Sequence, residues 1–79
     1  MIQVKIRLIG SLRKFKNNKI SADNKIFIKN NSTLNDLKNK LDINTKRKLI
    51  FLVDGKQKNS EYELSDGDNI VILTITAGG

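Results

Sequence analysis

Ile70-Val71-Ile72-Leu73-Thr74-Ile75 is apolar at odd and even positions alike. Successive side chains of a strand point to opposite faces, so this run needs cover on both and fits the middle of a sheet better than its edge. The first segment behaves differently: Ile2, Val4, Ile6 and Leu8 alternate with Gln3, Lys5 and Arg7, the period of a half-buried strand. Ile26-Phe27-Ile28 predicts a short second strand. Leu49 to Val53 predicts another that ends in Asp54-Gly55, a hairpin turn with Lys56-Gln57 as its return arm.

Between these β-patterned segments lies one helical stretch. Thr33-Leu34-Asn35-Asp36 places a hydroxyl where it can accept from a free N–H of the first helical turn, with Asp36 beside the positive end of the helix. Leu34, Leu37 and Leu41 follow at spacings of three and four, and Asp36 and Lys40 stand an i,i+4 ion pair apart on the wet side. The pattern predicts a helix of two to three turns across one face of a mixed sheet, an α+β fold of four to five strands. Asn-rich residues 16 to 19, with Leu12 to Phe15 before them, favour a turn or loop. The order of the strands does not follow from the pattern.

With 79 residues there is room for one core. No run of eighteen apolar residues exists to cross a membrane, and the alternating charges of residues 2 to 8 do not suit a signal peptide. A cytoplasmic location and no membrane partner are expected. The chain has no Cys and no His, so disulfides, most zinc sites and the usual nucleophile–base pairs are absent. No catalytic residue, metal site or bound cofactor is expected, and the chain is not expected to be an enzyme.

The net charge is +7, with 13 of the 15 Lys and Arg but only 3 of the 8 acids in residues 1 to 48. Such a field can steer an acidic partner. A nucleic-acid module would use Lys5, Arg7, Arg13, Lys14, Lys16, Lys46, Arg47 and Lys48. Of the four aromatic residues, however, only Phe15 lies inside a basic run. A base-stacking platform is therefore not evident, and nucleic acid is not expected as a partner.

The whole chain resembles the β-grasp, ubiquitin-like sulfur carriers: the molybdopterin synthase small subunit, the thiamine-pathway sulfur carrier and the archaeal small modifier proteins. The residues that carry the resemblance are Val4 to Arg7, Leu12-Arg13, Thr33-Leu34 with Asp36-Leu37, and Val53-Asp54-Gly55. The most specific are Leu64-Ser65-Asp66-Gly67-Asp68 before the last strand and Ala77-Gly78-Gly79 at the end. The charge of +7 and Asp54, where Asn is commoner, depart from the family pattern. The resemblance implies that the first and last strands lie parallel and central. It divides the chain into a β-grasp body over 1–75 and a flexible tail over 76–79 that leaves the sheet edge.

At about 7% average usage, two Gly at two given positions arise by chance in roughly 0.5% of chains. Lacking a Cβ, glycine lets a backbone pass through a narrow channel, and residues 74 to 79 at about 3.3 Å each reach roughly 20 Å. The resemblance implies that a ubiquitin-activating-type adenylyltransferase, using ATP and Mg²⁺, activates the carboxylate of Gly79, with Ala77 and Gly78 threaded into its cleft. A sulfur donor then converts the terminus to a thiocarboxylate that serves molybdopterin, thiazole or tRNA chemistry, with molybdopterin synthesis foremost. Lysine acceptors would take the place of sulfur in a modifier. One of the last strand's two sets of side chains, Ile70 and Ile72 or Val71, Leu73 and Ile75, must face away from the helix, where the loops from Leu12 to Ile20 or from Lys58 to Leu64 could fold over and bury it. Val71, Leu73 and Ile75, with Phe51 from the neighbouring run, are the candidate docking residues for the activating enzyme or a larger synthase subunit.

Overall fold

Five strands join one mixed sheet: β1 (Ile2–Leu8), β2 (Lys25–Ile28), β3 (Leu49–Val53), β4 (Lys56–Lys58) and β5 (Asn69–Thr74). They come from a computed structural model, which describes residues 1–16 and 19–75. The order across the sheet is β2-β1-β5-β3-β4, with β1 and β5 parallel and the other pairs antiparallel. The doubly apolar run therefore occupies the middle strand, as its pattern requires. Its last expected member, Ile75, follows the strand and donates its N–H to Lys48 C=O at 3.2 Å. The tail expected over 76–79 lies outside the described residues.

Helix α1 (Leu34–Lys40) packs Leu34 and Leu37, both wholly buried, against the sheet face formed by Val4, Ile6, Ile26, Ile28, Phe51, Val53, Ile70 and Ile72. Its start is a reciprocal cap. The Thr33 hydroxyl accepts from Asp36 N–H at 3.2 Å, and the Asp36 carboxylate accepts from Thr33 N–H at 2.9 Å. That second bond corrects the expected Asp36–Lys40 ion pair: the Asp36 carboxylate turns back to an orphan backbone donor, and the one ion pair among the described residues joins Lys19 to Asp42 at 3.4 Å. Thr33→Ala is expected to cost about 1 kcal/mol. In a domain of this size that lowers the calorimetric midpoint by about 4–8 °C.

Two turns fix the register. Asp54 (φ 51°) and Gly55 (φ 85°) are the central pair of the β3–β4 hairpin, and positive φ at both is the type I′ geometry that matches strand twist. The Asp66-Gly67-Asp68 turn ties the start of β5 to β1. Gln3 N–H donates to the Asp66 carboxylate at 2.8 Å, Gly67 N–H to Gln3 C=O at 2.8 Å, and Lys5 N–H to Asp68 C=O at 2.9 Å. This turn thus aligns the two parallel strands, which no hairpin could connect.

One element departs from expectation. Gly10–Phe15 forms a 3-10 helix where a loop was predicted, and it drops Leu12 into the core at 1% exposure. Gly10 opens it at φ 63°, a conformation costly for other residues.

Candidate functional site

The register of β3 and β5 decides which side chains share the face opposite the helix. Ile50 stands across from Leu73 and Leu52 across from Val71. All four are half-buried, whereas their strand neighbours Phe51, Val53, Ile70 and Ile72 are buried on the helix side. In an antiparallel pair, directly opposed residues lie on one face with Cβ atoms about 5 Å apart. The four therefore form a contiguous apolar patch. Arg7 lies beside Val71 on β1, and Gln57 lies beyond Leu52 on β4.

Val71 and Leu73 sit where the sequence placed them, and Ile75, 46% exposed, continues beyond the strand. Phe51 does not. At 5% exposure and opposite Ile72, it belongs to the core beneath the helix and is withdrawn as a docking residue. The apolar run Leu49–Val53 has hydrophobic residues on both faces, so composition alone does not fix which parity points inward. The residues missed are Ile50 and Leu52. Their signal is the same as in the last strand: a doubly apolar run leaves one set of side chains outside.

The two loops that could cover the patch, 12–20 and 58–64, are drawn toward the core in their described residues. Residues 59–64 are drawn to the helix: Leu34 N–H donates to Tyr62 C=O at 3.0 Å and Asn35 N–H to Ser60 C=O at 2.9 Å. Leu64 and, from the other segment, Leu12 are buried in the helix-side core. The patch lies immediately before the tail on the same strand. Ala77, Gly78 and Gly79 themselves are outside the described residues. No cluster of metal-ligating side chains occurs among the described residues, and no helix there is long and apolar enough to cross a membrane.

The apolar face lies on the strand that precedes Ala77, Gly78 and Gly79 in the sequence. Comparisons with known proteins bear on its origin. The crystal structure of SAMP1 from Haloferax volcanii matches with a TM-score of 0.68 at 13% identity, over 98% of this chain and 99% of that one. The two share the ubiquitin-like β-grasp fold. No curated protein matches the chain. The model of the ThiS family matches residues 6–79, from the first strand to the closing glycines, and the chain belongs to that family.

Proposed function

We propose that this chain, by family and fold a ubiquitin-like carrier or modifier, carries sulfur on the carboxylate of Gly79. The observation that supports the reading is the family match, which runs through Gly78-Gly79 and includes the strand bearing the apolar patch. A free carboxylate is a poor electrophile. A ubiquitin-activating-type adenylyltransferase holding ATP and Mg²⁺ converts it to an acyl-adenylate with loss of pyrophosphate. A persulfide donor then attacks the carbonyl, AMP leaves, and a thiol reduces the resulting acyl disulfide to the thiocarboxylate. The chain contributes position: Ile50, Leu52, Val71 and Leu73 dock the enzyme, and the glycines pass through its channel. The sulfur serves molybdopterin synthesis, delivered through a larger synthase subunit. In the modifier variant of this chemistry, a lysine amine attacks the same adenylate to give an isopeptide.

Intact-mass analysis of the protein from its native cells tests the reading. A carrier shows one oxygen exchanged for sulfur at the C-terminus. A ladder of larger conjugates instead identifies a modifier, and an unchanged mass in both sulfur-replete and sulfur-starved cells counts against both. Loss of molybdoenzyme activity on deletion, restored by the intact chain, is the corresponding test of the acceptor. The docking surface has its own check. Leu73→Gln is expected to raise the KM of the activating enzyme for the carrier about tenfold, as for a residue near the centre of an interface. The kcat stays unchanged because binding to ground and transition states is weakened alike.

A further inference from the structure

The sheet face that bears the apolar patch changes character at β1. Three adjoining hollows run along that strand. The first, about 180 Å³, is lined by Gln3, Lys5, Lys25 and Asn69. The second, about 240 Å³, shares Lys5 and Asn69 with it and adds Arg7 and Asn24. The third, about 410 Å³, shares Arg7 and Asn24 and adds Arg13 and Lys16, beside the apolar Ile6, Leu8, Ile9 and Ile20. No carboxylate lines any of them. Of the acids near their lining, Asp66, Asp68 and Asp54 direct their carboxylates at backbone N–H groups of Gln3, Ser65 and Asn69, and Asp23 precedes Asn24 in the sequence. Among the described residues none of these five cations has an ion-pair partner, and Lys16 donates only to the neutral amide of Asn24 at 3.2 Å.

At the foot of this groove stands Phe27. It lies on edge strand β2, directly across from Gln3, and is 57% exposed. Nothing in the core needs an aromatic side chain held out on this face, since Ile26 and Ile28 on either side of it supply the strand's buried contacts.

We propose that this groove binds single-stranded RNA, with the phosphates on the cations, the amides of Gln3, Asn24 and Asn69 at base edges, and a base stacked on Phe27. Lys5 and Arg7 are two residues apart on a strand and so about 6.6 Å apart, a spacing suited to successive phosphates of an extended strand. A linear groove with cations at intervals, amides between them and an aromatic platform beside them is the recurrent design of single-strand binders. An acidic protein surface would satisfy the cations but would leave Phe27 without a role. Nothing in the proposal depends on Gly79, so it stands or falls apart from the carrier chemistry.

The test is fluorescence anisotropy of the full chain with a labelled oligouridylate, titrated between about 50 and 200 mM salt. Five phosphate contacts at about 0.7 each give an expected slope near −3.5 for log affinity against log salt. Lys5→Gln combined with Arg7→Gln is expected to reduce its magnitude by about 1.4. Phe27→Ala is expected to weaken binding about five- to hundredfold at unchanged slope, the loss of one stacked base. Lys38→Gln with Lys56→Gln, which removes the same charge from the helix and from β4, should leave the slope in place. All these side chains lie outside the core, so unchanged thermal midpoints accompany every variant. A slope shallower than about −1, or one that the Lys5 and Arg7 changes do not move, overturns the proposal. So does polyglutamate of equal charge competing as well as RNA while Phe27→Ala has no effect, which would make the groove a site for acidic protein.

Discussion

Removing Gly79 is expected to cut adenylate formation at least about a hundredfold, measured as pyrophosphate exchange into ATP with the cognate activating enzyme. Length and position set the size of the effect. Each residue of extended chain spans at most about 3.3–3.6 Å, and a misplacement of only about 1 Å at a reacting centre can cost about a hundredfold. The new terminus at Gly78 is chemically the same carboxylate, so its failure would report reach and not reactivity. Gly79→Val separates length from width: it restores the reach but adds branching where the channel must be narrow, and it too is expected to fail. Both variants should melt with the intact protein, because among the described residues every buried core residue precedes position 73. Exchange at the wild-type rate by either variant would remove the tail from the reading.

The second large effect separates the two faces of the sheet. Leu37 has no exposed surface and stands between the helix and the sheet. Leu37→Ala is expected to cost about 2–5 kcal/mol for the lost contacts and the cavity left behind. A domain of this length holds roughly 4–12 kcal/mol in all, and each kcal/mol is worth about 4–8 °C in the midpoint. The variant should therefore melt at least about 8 °C lower, with its urea midpoint shifted and the slope of the transition retained. Ile50→Ala, on the half-buried outer face, should cost distinctly less while weakening the activating enzyme's hold on the carrier. If Ile50→Ala proved the more destabilising of the two, the assignment of faces would be wrong.

Much of this was legible in the residues because local chemistry and fold agree. The alternation of residues 2 to 8, the Thr33-to-Asp36 start of the helix and the Asp54-Gly55 turn each carry their own reason, and each element formed where its reason placed it. What failed depends on neighbours distant along the chain. Phe51 was assigned outward because a run apolar on both faces has no marked parity, and only its pairing with Ile72 fixes it inward. Asp36 had two partners within reach, and the cap prevailed over the ion pair because an N-terminal backbone donor otherwise goes unpaired. The 3-10 helix over Gly10–Phe15 is too short for a period to declare itself. Phe27 has Lys25 and Lys29 two residues to either side, but its place beside Gln3 and Lys5 exists only through the β1–β2 pairing.

The parallel pairing of β1 with β5 sets when the molecule becomes competent. Lys5 meets Asn69 across nearly the full chain, and such distant contacts are repaid only after most of the chain entropy has been lost. Ile50 and Leu52 likewise have Val71 and Leu73 beside them only once β5 is seated. A misfolded copy carries the same glycines but not the assembled face of Ile50, Leu52, Val71 and Leu73. On the proposed function, an activating enzyme that grips this face before accepting the terminus would charge folded copies in preference to misfolded ones.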